Sequence, residues 1–63
     1  MTELQRMYND MLVTLEKGIN DLEKFEDGNM SAGTRVRKTM QTTKELAQKI
    51  RVTVQEQKNA VVA

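Results

Sequence analysis

Two long runs of helix-spaced apolar residues meet at a single Gly28-Asn29 step, and no proline interrupts either run. Gly28 follows the last apolar position of the first run, where a residue free to adopt positive φ commonly ends a helix, and Asn29 prolongs the break. A connection this short makes the flanking helices antiparallel neighbours. The sequence therefore predicts an all-α fold, an antiparallel two-helix hairpin forming one domain over residues 1–63. Its first helix is expected over about 3–27, its turn over 28–31 and its second helix over about 32–59.

Thr2, followed three residues later by Gln5, matches a capping box and places the first helix start near Glu3. Leu4, Tyr8, Met11, Leu15, Gly18, Leu22 and Phe25 then follow alternating four-and-three spacing, with Met7, Leu12 and Ile19 beside that seam. Asn29 or Ser31 can cap the second helix. Its seam reads Ala32, Val36, Met40, Thr43, Ala47, Ile50, Val54 and Val61, with Leu46 beside it; threonines at 39, 42, 43 and 53 weaken its helix propensity. The first stripe is too wide for one antiparallel partner to bury. A dimer forming a four-helix arrangement is expected, with a longer coiled assembly as the competing solution. The expected oligomer seam is Leu4, Met11, Leu15, Leu22, Phe25, Val36, Met40, Ile50 and Val54.

Composition narrows the function. The chain has no cysteine and no histidine, so disulfides and a conventional zinc site are excluded. Its aromatic residues are Tyr8 and Phe25 alone, which leaves a thin aliphatic core that favours self-association. Exposed carboxylates and small hydroxyls on a hairpin form no water-excluding pocket, so neither an enzyme nor a small-molecule substrate is expected. Glu16, Glu23 and Asp27 lie along one solvated flank, and neither a metal nor a cofactor is expected. Gly28 and Gly33 imitate the glycine spacing of a phosphate loop, but Thr34 stands where the lysine belongs and no strand precedes it. The longest apolar run is the four residues Ala60 to Ala63, too short for a membrane span, and the N-terminus lacks a leader pattern. A cytoplasmic protein without a membrane partner is expected.

The formal net charge of +1 hides a division at Gly28. Residues 1–27 carry seven acidic and three basic side chains, a balance of −4; residues 28–63 carry two acidic and seven basic, a balance of +5. Arg37, Lys44, Arg51 and Lys58 recur every seven residues and form a positive rail along one flank of the second helix. Such a rail can follow the phosphates of a nucleic-acid backbone. It can equally pair with the first helix, where Glu23 and Glu16 stand near the levels of Arg37 and Lys44. No aromatic side chain interleaves it, so base stacking has no support and duplex backbone contact is the expected mode. At the start of the second helix, Ser31, Gly33 and Thr34 precede Arg35, Arg37 and Lys38. Free N–H groups, hydroxyls and cations there suit a phosphate, while ordinary capping and packing of Gly33 against Phe25 account for the same residues.

The segment Gly28-Asn29-Met30-Ser31-Ala32-Gly33-Thr34-Arg35-Val36-Arg37-Lys38 resembles the bacterial linker-histone-like family, known from the chlamydial histone-like protein and its short relatives. That family shows Gly-Asn, small residues, an Arg-x-Arg core and a helix with spaced Lys and Arg, matched here by Arg35, Arg37, Lys44 and Arg51. Asp21, Leu22 and Lys24 are similar to its preceding helix. The resemblance spans about residues 18–59. It implies a nucleoid-associated protein that organises DNA, with Arg35, Arg37 and Lys38 as first contacts and Lys44, Lys49, Arg51 and Lys58 as secondary ones. Family members typically end on lysine-rich sequence, whereas this sequence closes on Lys58-Asn59-Ala60-Val61-Val62-Ala63, so weaker condensation is expected. Relatives of this type in phages would use the same hairpin on packaged DNA or within a particle. The rival expectation is a protein-interaction module, or virion component, whose cations serve ion pairs between helices.

Overall fold

The computed structural model describes residues 1–62, with side chains through Ala60. Two helices pack against each other: α1, Glu3–Glu26, and α2, Met30–Val62. The expected capping box is formed. The Thr2 N–H donates to Gln5 Oε1 at 3.0 Å and the Gln5 N–H donates to Thr2 Oγ1 at 3.1 Å, satisfying donors that the first turn leaves without helical partners.

Three residues reverse the chain. Gly28 has φ of 103°, its N–H donates to the Phe25 carbonyl and the Asn29 N–H donates to the Lys24 carbonyl, each at 2.9 Å. This pair of bonds closes the last turn of α1 in the Schellman manner. Asn29 then caps α2 by accepting from the Ala32 N–H on its Oδ1 at 3.2 Å. Because Asn29 takes this role, α2 starts at Met30, ahead of the expected Ala32, and Ser31 lies in its first turn. No helix-breaking residue lies near Asn59, and α2 continues to Val62; the side chain of Val61, an expected seam position, lies outside the described residues.

The tight turn fixes the register. Asp21 meets Arg35, Gly18 meets Thr39 and Phe25 meets Gly33. A Cβ on Gly18 would stand 3.0 Å from Thr39 Cγ2, and one on Gly33 would stand 2.7 Å from the Phe25 ring. The helices thus touch where side chains are smallest. Thr39 and Thr43 suit that contact because their hydroxyls donate to carbonyls one turn earlier, Arg35 O at 3.0 Å and Thr39 O at 2.8 Å. Their polar atoms are satisfied within α2, which leaves the methyl groups to pack.

This close approach rotates α1 away from the expected single stripe. Leu4, Met7, Met11, Thr14, Gly18 and Asp21 are half-buried along the contact, opposite Val36, Thr39, Thr43, Leu46, Ala47, Ile50 and Thr53. Tyr8, Leu12, Leu15, Ile19 and Leu22 form a second stripe that stays exposed. Of the expected oligomer seam, Leu4, Met11, Val36 and Ile50 are half-buried inside the hairpin, while Leu15, Leu22, Phe25, Met40 and Val54 remain on its surface. Among the described residues only Ala32 is fully buried.

The molecule measures 53 × 19 × 11 Å, one helix thick, and exposes 5269 Å². A compact monomer of this mass would expose about 4,100 Å².

Three substitutions separate turn geometry from packing. Gly28→Ala has open space for its Cβ, so its cost is the positive φ alone, about 1 kcal/mol, read as a thermal midpoint about 5 °C lower by circular dichroism. Gly18→Ala should be nearly neutral, since a helix-propensity gain of about 1 kcal/mol offsets the tight Thr39 contact. Gly18→Leu should instead destabilise by about 1–3 kcal/mol through overpacking.

Candidate nucleic-acid interface

All seven cations of α2 are exposed, because the seven-residue ladder and its neighbours lie off the narrow face that meets α1. Helical geometry divides them into two groups. Arg37, Lys44, Arg51 and Lys58 follow the flank of α2 that borders the exposed apolar stripe, whereas Arg35, Lys38 and Lys49 lie toward the opposite flank. Arg37 lines a hollow near the turn with Leu22, Phe25, Met30 and Val36. Lys44 and Lys49 share a shallow depression with Gln41, Glu45 and Gln48, so the two groups approach each other across the solvent side of α2.

The interhelix pairs expected from the sequence do not form within the hairpin. Among the described residues the one ion pair joins Arg35 Nε, which donates, to Asp21 Oδ1 at 2.8 Å. The physical reason is register. The turn closes over Asp27, Gly28 and Asn29, so Glu16 and Glu23 stand about one helical turn closer to it than Lys44 and Arg37, and on the far flank of α1. Arg37, Lys38, Lys44, Lys49, Arg51 and Lys58 have no carboxylate within ion-pair distance among the described residues.

Sequence periodicity missed the Asp21–Arg35 pair. Counting the register outward from Gly28 as the centre of the turn brings the two together. Their side chains are 23% and 48% exposed, so the pair is screened and contributes at most about 1 kcal/mol. The Arg35 guanidinium keeps its other N–H donors, but its charge is already offset.

At the start of α2, Ser31 and Thr34 are exposed. Gly33 admits the Phe25 ring, and Asn29 performs the capping, so both local features have structural work beside any ligand. Among the described residues no helix is long and apolar enough to cross a membrane.

The family model for the histone H1-like protein Hc1 matches residues 5–60, which include the turn and most of both helices. The chain belongs to the Hc1 family. No curated protein and no solved structure gives a significant match. The family match agrees with the linker-histone-like resemblance centred on Gly28 to Lys38, and it places the hairpin among histone-like, DNA-binding proteins rather than in an enzyme family.

The exposed ion pair is expected to matter little to folding. Asp21→Asn should lower the unfolding free energy by no more than about 1 kcal/mol in denaturant titration, since a screened pair is lost without leaving a buried charge. A larger loss would mean that this pair, rather than the turn and the glycine contacts, holds the register.

Proposed function

We propose that this Hc1-family hairpin binds duplex DNA through the phosphate backbone without reading sequence, as a homo-oligomer that helps organise the nucleoid. The observation that carries this reading is the set of six exposed α2 cations, Arg37, Lys38, Lys44, Lys49, Arg51 and Lys58, that find no acidic partner among the described residues of the hairpin. Seven-residue spacing on a helix sets successive cations of the ladder about 10 Å apart, a linear array suited to a polyanion. Each cation that neutralises a phosphate releases condensed counterions, so affinity comes from charge and falls as salt rises.

Sequence reading has little support in these residues. Tyr8 and Phe25 both lie on α1; Phe25 borders the hollow lined by Arg37 but is packed over Gly33, and no aromatic side chain interleaves the cations from Lys44 to Lys58 to stack on bases. Ser31 and Thr34 are secondary phosphate contacts at the N-terminal turn of α2, where the Phe25 ring packs directly against Gly33. Arg35 ranks below the other cations because Asp21 offsets its charge. The resemblance alone sets Arg35 beside Arg37 and Lys38 as first contacts; its ion pair with Asp21 lowers Arg35 among them.

Anisotropy of a labelled random-sequence duplex, titrated at about 50 and about 200 mM salt, tests the reading; several phosphate contacts should weaken binding by orders of magnitude over that range. Arg51→Glu and Lys58→Glu should each reduce the salt slope by about 1, and Arg35→Glu should reduce it less. Absence of binding at the lower salt would sink the DNA reading and favour the protein-interaction module, for which the exposed apolar stripe is the supporting feature.

A further inference from the structure

We propose that the open apolar face is closed by a second copy in one orientation, with the two-fold axis parallel to the helices. Glu16 and Glu23 of each copy then lie beside Lys44 and Arg37 of the other. The inference rests on the homo-oligomer reading, and its test does not require DNA.

The face is continuous. Leu12, Leu15, Ile19 and Met40 line a trough beside the helix contact, and Leu22 and Val36 carry it into the hollow near the turn. Its borders have opposite signs. Glu16 stands at the α1 edge of the trough and Arg37 at the α2 edge of the hollow. Seven-residue steps extend those edges to Glu23 on α1 and to Lys44 on α2.

A two-fold axis lying in the contact plane can run in either of two directions. Running across the helices, it lays acidic edge on acidic edge and basic edge on basic edge. Running along them, it lays each acidic edge on the other copy's basic edge and keeps both turns at the same end. Like charges facing each other disfavour the first arrangement, and opposite charges select the second.

The hairpin register makes the second arrangement fit. Gly18 is level with Thr39, so Lys44 lies about 4.5 Å farther from the turn than Glu16, and Arg37 is offset from Glu23 by the same amount. Helical side chains lean toward their own N-terminus. The glutamates therefore lean away from the turn and the cations toward it, which closes the offset from both sides.

Area supports a second copy as the occupant. The hairpin exposes roughly 1,100 Å² more than a compact monomer of its mass, against about 800 Å² per partner in a standard interface. The arrangement also divides the ladder. Arg37 and Lys44 meet carboxylates across the seam. Arg51 falls opposite the neutral Asn9, seven residues before Glu16, and Lys58 reaches past the start of α1. These last two remain free for phosphate.

The chain has no cysteine, so single thiols can be placed without background. Glu23→Cys and Arg37→Cys chains, mixed in equal amounts without DNA and treated with a short bismaleimide, should give chiefly the mixed cross-link by mass. Sedimentation equilibrium of the unsubstituted chain at the same concentration should show a dimer or a multiple of it. A dimer that yields only same-variant links, or none, overturns the orientation and leaves the homo-oligomer reading standing. A monomer throughout overturns both, and neither result bears on whether DNA is bound. Independently, Glu16→Lys with Glu23→Lys should weaken self-association at least about tenfold, and adding a chain carrying Arg37→Glu with Lys44→Glu should restore it. Failure of the mixture to associate would count against the paired edges.

Discussion

Gly18 faces the methyl group of Thr39 across the helix contact, and Gly33 receives the ring of Phe25 in the same way. Those two close approaches determine the rotation of α1. Had a larger side chain stood at 18, the helices would be farther apart, and the Leu15–Leu22 side of α1 would have room to turn toward α2. With glycine there, small residues meet near the turn and Leu12, Leu15, Ile19 and Leu22 are turned out, while Leu4, Met7 and Met11 pack toward Leu46 and Ile50 farther along. The hairpin is consequently held by a tight turn and modest packing, with Ala32 its only fully buried residue among those described. Small domains commonly need a partner to complete their core. Here that need is expressed on one side of a layer that is one helix thick.

Charge follows the same division. The acids of the first half and the cations of the second stand on adjoining helices, yet only Asp21 and Arg35 meet within the hairpin among the described residues. The other edges are held apart by the rotation of α1 and by the register of the turn. A chain of net charge +1 can therefore present a cationic helix locally, because, of the first-half acids, only Asp21 reaches one of its cations among the described residues.

Most of the fold was legible in the sequence because its signals are local. The Thr2–Gln5 box, the glycine at positive φ and the helical spacing each depend on a few neighbouring residues, and all three took their expected form. The turn and register were less legible. Asn29 and Ser31 were equally good caps on paper, and choosing Asn29 starts α2 earlier and shifts the facing levels by about one helical turn. That shift replaced the expected Glu23–Arg37 and Glu16–Lys44 pairs with Asp21–Arg35. The splitting of the α1 stripe was hidden for another reason. Spacing shows which residues share a side of a helix, but Gly18 sat within an apolar seam whose larger members looked the better contacts. Only the distance between backbones shows that a missing side chain won.

The three-residue turn also brings together the two ends whose backbone partial charges are opposite. The carbonyl end of α1 and the N–H end of α2 each carry about half an elementary charge, and side by side they largely cancel. Glu26 and Asp27 add negative charge at the same place. The first turn of α2 is thereby a weaker anion trap than the end of an isolated helix. Attraction for a polyanion then rests on side-chain charge farther along α2, on Arg51 opposite the neutral Asn9 and on Lys58 beyond the level of Glu3.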